Sequence, residues 1–270
     1  MKLFFAGAEP RINIEVMLKV KVKNYLFSFY YVKEKEWATK PNSKLVEVKK
    51  AGGCIFLDSG GFSAITANAI ISVEDYAKFL KVNKDYIDFY ANLDDKDIKT
   101  SLKNQAYLEK QGLSPIPVFH WFELKAGMTN IYDKYLKNYK YVAIGGIANI
   151  KINNDEKKYY LDYCVKKAIK ADVKLHGFGL TSKRELLRYP FYSVDSTSWN
   201  QGMYGVITRW DSKNLKFVNS HYTKNKKTLE SKVSIAQINH YKKRAEYNLK
   251  QYLKMEKLIT RIWEARGIKY

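Results

Sequence analysis

Ile55-Phe56-Leu57-Asp58-Ser59-Gly60-Gly61-Phe62 is an apolar run that ends in a carboxylate, a hydroxyl and a pair of glycines. Residues 53–57 are short and continuously apolar, the pattern of a parallel strand covered on both faces. Gly60 and Gly61 then permit a tight turn, or the close approach of a flat ligand to the backbone. Taken alone, Asp-Ser-Gly-Gly more often makes a plain turn before a capped helix. The stretch decides the fold because the rest of the chain repeats its arrangement of strand, polar strand end and helix.

Upstream, residues 2–8 and 24–32 read as strands flanking a helix over 10–22, and a helix over 42–50 leads to Gly52-Gly53. Downstream, Ser72 with Asp75 three residues on marks the start of a helix reaching residue 83. Further strands are expected at 86–93, 114–119, 141–144, 173–179 and 191–194. Helices over 98–111, 130–138, 154–170 and 182–188 lie between them. Eight strands joined by connections too long for hairpins predict an α/β fold, a parallel (β/α)8 barrel, with an open doubly wound sheet as the alternative. Asp58, Asp94, His120, Gly145, Gly146, His176 and Asp195 fall at or just beyond strand C-termini, the face where barrel enzymes carry their chemistry.

After the eighth strand the alternation breaks. Residues 205–210 and 215–220 read as a β-hairpin, inserted with a basic loop over 203–231. Lys224, Lys226 and Lys227 in that loop are candidate phosphate contacts, or simply solvated charge. Residues 232–265 form a long amphipathic helix or helix pair whose expected buried stripe is Ile235, Ile238, Tyr241, Leu249, Leu253, Leu258 and Ile262. The whole chain, 1–270, reads as one domain.

The formal net charge is +21, from 48 Lys and Arg against 27 Asp and Glu. A field of that sign attracts polyanions, nucleic acid first and an anionic membrane surface second, unless a lysine-rich proteome alone accounts for it. Two cysteines, Cys54 and Cys164, build neither a disulfide framework nor a cysteine zinc site. The apolar N-terminal run is too short for a signal peptide and no segment approaches bilayer length, so a cytoplasmic protein without membrane partners is expected.

Together these motifs resemble the tRNA-guanine transglycosylase superfamily, which exchanges guanine for a 7-deazaguanine base. Asp58-Ser59-Gly60-Gly61-Phe62 is similar to its signature, and Leu93-Asp94 to its purine-reading aspartate. Ala143-Ile144-Gly145-Gly146-Ile147-Ala148 resembles its base-contacting glycine pair, Phe178-Gly179-Leu180-Thr181 its next glycine motif, and Val194-Asp195-Ser196 the segment of its nucleophile. The motifs occur in the family's order between residues 57 and 202. His120 and Ser63 stand where the family has glutamines, and no cysteine-rich zinc insertion follows the eighth strand. A short, basic chain without zinc or other cofactor most resembles the phage-type enzymes that act on DNA, which implies the host cytoplasm as its compartment.

Base exchange breaks the bond from C1′ to N9 while positive charge develops on the sugar, so a carboxylate is needed on the opposite face. Asp195 is the expected nucleophile, and Asp58 the acid and then base. Asp94 would accept from guanine N1 and the exocyclic amine. Ser59, His120 and the Gly146 amide would contact the far edge, with Phe62 or Trp121 stacked on the base. The expected partners are DNA and a free 7-deazaguanine base of the preQ0 type, with tRNA as the alternative acceptor. Plainer readings make Asp94 and Asp195 helix caps, His120 a wall residue, and the protein a non-catalytic nucleic-acid-binding barrel. His176 lines the mouth without an assigned role.

Overall fold

The computed structural model describes residues 1–33, 35–61, 67, 69–147, 152–221 and 240–270. Eight parallel strands frame it: β1 (Lys2–Ala6), β2 (Asn24–Ser28), β3 (Cys54–Asp58), β4 (Phe89–Tyr90), β5 (Val118–His120), β6 (Tyr141–Gly145), β7 (Lys174–Gly177) and β8 (Ser193–Ser196). They pair in the order β4-β3-β2-β1-β8-β7-β6-β5. The two ends of that order meet at a parallel bridge between Ala91 and Ile116, where Ile116 N–H donates to Tyr90 O and Asn92 N–H to Ile116 O, each at 2.8 Å. The sheet therefore curls into an α/β barrel rather than remaining an open doubly wound layer.

Side chains alternate along a strand, so every second residue faces the barrel interior. Phe4 and Ala6, Phe56, Ala91, Ile116 and Val118, and Ala143 form one buried cluster there, with Phe89, Tyr141 and Phe178 packed against it. The rings of Phe4, Phe56, Phe89, Tyr141 and Phe178 pack against one another there, so the interior is a packed core. The opposite faces join the larger core beneath the helices. Four of those helices begin at side-chain caps, Asn42, Ser72, Asp97 and Asn153, whose oxygens accept first-turn N–H groups.

Several elements differ from the sequence expectation. Residues 24–32 do not form one strand: β2 stops at Ser28, and Phe29–Val32 is a helical turn. The turn brings Phe29 within 5.2 and 5.0 Å of the Tyr76 and Phe79 rings, so packing overrides the strand propensity of an aromatic run. The strand at 86–93 shrinks to Phe89–Tyr90, because Tyr86 N–H turns back to Asn83 O. Pro115 and Pro117 have no N–H to donate, which confines β5 to Val118–His120. A short helix, Trp121–Lys125, and a 3-10 segment, Ser198–Tyr204, were not expected.

The hairpin is present as β9 (Val206–Asp211) and β10 (Lys216–His221). The last helix spans Tyr241–Ala265, and Ile235 and Ile238 lie outside the described residues. Of the expected stripe Leu249 is buried, Leu253, Leu258 and Ile262 are half-buried and Tyr241 is 41% exposed, and the buried face is instead Ala245, Asn248, Leu249, Tyr252, Met255, Ile259 and Trp263. Two inward polar residues displaced that register. Asn248 Oδ1 accepts from Thr208 N–H at 2.8 Å and Gln251 Oε1 from Trp210 N–H at 3.1 Å, tying the hairpin to the helix. Among the described residues no helix is long and apolar enough to cross a membrane.

The 3-10 segment meets this helix at Gly202, where a Cβ would sit 2.7 Å from Ala245 N. Gly202→Ala is expected to destabilise the protein by about 1–3 kcal/mol, the cost of forced overpacking. Urea unfolding measures it, and an unchanged midpoint would mean that the two backbones separate freely.

Candidate active site

The inward alternation that builds the aromatic interior also builds the mouth above it. Two residues beyond Phe56, Val118, Ala143 and Ser193 lie Asp58, His120, Gly145 and Asp195, the top layer of the barrel. Asp94 follows β4 and His120 ends β5, so the seam of the barrel brings them together with His120 Nε2 2.7 Å from Asp94 Oδ2. Ser59 Oγ donates to Asp94 Oδ1 at 3.2 Å. Asp195 Oδ1 accepts from Gly179 N–H at 2.7 Å, and Asp58 Oδ2 from Gly60 N–H at 3.2 Å. Gly60 has φ +76°, and a Cβ at Gly61 would lie 2.7 Å from the Asp94 carbonyl oxygen. The glycine pair lets the chain turn directly over Asp94.

Burial pushes the Asp58 carboxyl up to about 7, and the neighbouring charges of Asp94 and Asp195 push in the same direction. His120 goes the other way. Burial alone would favour its neutral form, but the hydrogen bond to Asp94 and the nearby Glu123 carboxylate hold it protonated, with its pKa raised to about 10. Asp94, whose carboxyl burial would raise, is instead held below its ordinary value by His120 and Ser59. The mouth thus sets a carboxylic acid that titrates near neutrality beside a fixed imidazolium–carboxylate pair.

Asp58, Ser59, Gly60, Gly61, Asp94, His120, Gly145, Gly146, Gly179 and Asp195 all lie at this face. Phe62, Lys224, Lys226 and Lys227 lie outside the described residues. Neither Asp94 nor Asp195 caps a helix: their oxygens are taken up by His120 and Ser59, and by Gly179. The base-facing role expected of His120 needs correction, because its Nε2 is engaged by Asp94. Trp121 is buried, edge-on to Tyr160 at 5.8 Å, and is withdrawn from the mouth. The half-buried ring next to Gly179 is Phe178.

Three participants were not anticipated. Glu9, just past β1, accepts from Ser28 N–H at 2.7 Å, adds to the negative field on Asp58, and has its own carboxyl pushed up by burial. Its position beyond a strand end, shared with the other site residues, was the available signal. Glu123, 1% exposed, lies 3.6 Å from His120 Nδ1 and accepts from His120 N–H at 2.8 Å. Ser193 lies below Asp195 in β8 with its Oγ 2.6 Å from His176 Nδ1, a contact nothing in a strand-interior serine announces, and His176, expected to line the mouth, is instead 0% exposed among the interior rings. Among the described residues no group of three or more His, Cys, Asp or Glu side chains is arranged to hold a metal ion.

These features define an α/β barrel with an acid–base cluster at the C-terminal end of its strands. No protein-family model matches the chain, and no curated protein matches it. Among solved structures it is similar to that titled a "putative fructose-1,6-biphosphate aldolase" from Coccidioides immitis. The TM-score is 0.50 at 9% identity, covering 94% of this chain and 88% of the other. At that identity the likeness concerns the barrel fold alone.

The two raised pKa values have the same sign for stability. A folded state that binds protons more tightly than the unfolded one loses stability as pH rises between the two pKa values. For Asp58 the loss runs from about pH 4 to pH 7, and for His120 from about pH 6.5 to pH 10. Asp58→Asn is therefore expected to match wild type near pH 4 and to exceed it by about 4 kcal/mol above pH 7, the loss accumulated over about three pH units. Denaturation at the two pH values checks this, and equal differences at both would show that Asp58 is not proton-linked to folding.

Proposed function

We propose that the protein is a guanine transglycosylase that exchanges guanine in DNA for a free 7-deazaguanine base, through a covalent glycosyl ester on Asp195. The observation that carries the reading is the convergence of Asp58, Asp94 and Asp195 at one mouth, with Asp58 poised near neutrality and Asp94 held ionised. Environments that push neighbouring carboxyl groups apart divide acid–base work between them. The resemblance of the surrounding motifs supplies the substrate class, and the +21 net charge favours a polyanionic acceptor.

In the first step an Asp195 oxygen bonds to C1′ as the bond from C1′ to N9 breaks. The electron pair leaves with guanine, and Asp58 supplies the proton that makes it a neutral base. In the second step the incoming 7-deazaguanine gives its N9 proton to Asp58 and bonds to C1′, releasing the Asp195 carboxylate. Two displacements on one carbon retain its configuration. Asp94, fixed by His120 and Ser59, offers its carboxylate to the N1–H and amine edge of the purine, and Phe178 offers a ring for stacking. A duplex target would have to be flipped out of its stack to reach this mouth.

Release of labelled guanine from DNA and, separately, from tRNA, in the presence of a 7-deazaguanine base, tests the proposal. Release from DNA that is lost in Asp195→Ala is the expected result. Release from tRNA alone moves the activity to the other acceptor, and release from neither overturns the reading in favour of binding without chemistry.

Because guanine departure needs protonated Asp58, single-turnover formation of the glycosyl-enzyme is expected to fall about tenfold per pH unit above pH 7. Asp58→Asn should lose that dependence together with about 10²–10⁴ of the rate. A pH-independent wild-type rate from pH 7 to pH 9 would remove Asp58 from the proton transfer.

A further inference from the structure

A line of polar side chains crosses the otherwise aromatic interior beneath Asp195. The Tyr141 hydroxyl lies 2.5 Å from Ser193 Oγ, Ser193 Oγ lies 2.6 Å from His176 Nδ1, and His176 Nε2 lies 3.4 Å from Asp195 Oδ1. Ser193 and His176 are 0% exposed. The imidazole is walled by Phe4, Phe56 and Phe178, whose ring centroids lie 6.2, 4.7 and 4.5 Å away. Nε2 has no hydrogen-bond partner within those walls, and the polar atom it approaches is the Asp195 oxygen. A ring nitrogen buried among aromatics is costly unless it gains such a partner.

The direction of the line follows from the carboxylate at its upper end. Burial pushes the Tyr141 hydroxyl well above its ordinary value, so it keeps its proton and can donate to Ser193. Ser193 then gives its single proton to His176 Nδ1, which leaves Nε2–H pointing at Asp195. The reverse polarity would set the Nε2 lone pair against a carboxylate oxygen, a repulsive contact. Asp195 Oδ1 also receives Gly179 N–H at 2.7 Å, so both donors converge on one oxygen.

Resting on the transglycosylase reading, we infer that His176 is a positioning residue. Its Nε2–H, fixed in tautomer by Tyr141 and Ser193, holds Asp195 Oδ1 and leaves Oδ2 as the oxygen that attacks C1′. The 3.4 Å contact shortens as the sugar arrives, as hydrogen bonds at unliganded sites commonly do. When the ester forms, Oδ1 becomes its carbonyl oxygen and still accepts from both donors. When the ester is cleaved, the same donors stabilise the returning carboxylate.

The test has two independent readouts on the full chain. Imidazole nitrogen NMR of histidine-labelled protein, with the His176 signals assigned by their loss in His176→Gln, is expected to show Nε2 protonated and Nδ1 bare. Ser193→Ala should release that preference. A ring protonated at Nδ1, alone or together with Nε2, overturns the inference whether or not the protein is a transglycosylase. In single-turnover reaction with DNA, followed by intact-protein mass, His176→Phe is expected to form the glycosyl-enzyme about 10–100-fold more slowly at unchanged KM for DNA. His176→Gln, which keeps a donor at the height of Nε2, should recover part of the loss, and Ser193→Ala should be slowed with little change in volume should the phenylalanine variant not fold. Wild-type rates in the folded His176 and Ser193 variants overturn the positioning role. Absence of any glycosyl-enzyme in wild type refutes transglycosylation itself, and the tautomer then decides the hydrogen-bonded line alone.

Discussion

Closure of the barrel at Ala91 and Ile116 is the constraint on which the candidate site depends. The bridge joins the two paths that stand at opposite ends of the pairing order, and a few residues beyond it on each path Asp94 and His120 meet. An open sheet of the same eight strands would leave these two groups at opposite edges. The ion pair is thus a consequence of closure.

Beneath the mouth, the same alternation that sets Asp58, His120 and Asp195 in the top layer sets rings in the layers below. Phe4, Phe56 and Phe89 pack edge-on or tilted at centroid distances of 5.4–6.3 Å, an apolar floor under the carboxylates. That floor contributes to the burial that raises the Asp58 carboxyl to about 7, burial being the leading cause of the shift and like charges adding to it. Packing of the barrel interior and acid–base behaviour at its mouth are therefore one property of the sequence. A smaller residue at Phe56 would admit water beneath Asp58 and relax both at once.

The alternation of strands and helices was legible because each strand is a short apolar run closed by a polar residue or glycine. That is how Asp58, His120, Gly145 and Asp195 could be placed at one face before any contact was known. What remained hidden follows from the same property. Strands buried on both faces show no hydrophobic alternation, so nothing marked Tyr141, Ser193 and His176 as inward and in line. Pairing of Asp94 with His120 depends on closure, which no local pattern encodes. Aromatic residues at 29–32 carry strand propensity yet form a turn, and Asn248 and Gln251 look like solvent-facing residues until the hairpin supplies the N–H groups they accept.

The division of labour among the carboxylates can be traced to their donors. Asp94 has a protonated imidazole at 2.7 Å and a hydroxyl at 3.2 Å, and these outweigh its desolvation. Asp58 has a single backbone amide at 3.2 Å, which does not. Ionising Asp58 would add a further negative charge to a mouth that already holds Asp94 and feels Glu9 and Asp195. His120 is already committed to Asp94 and Glu123. With fewer donors than Asp94, the strand-end aspartate in the Asp-Ser-Gly-Gly turn retains its proton further up in pH and becomes the group able to give up a proton and take one back near neutral pH.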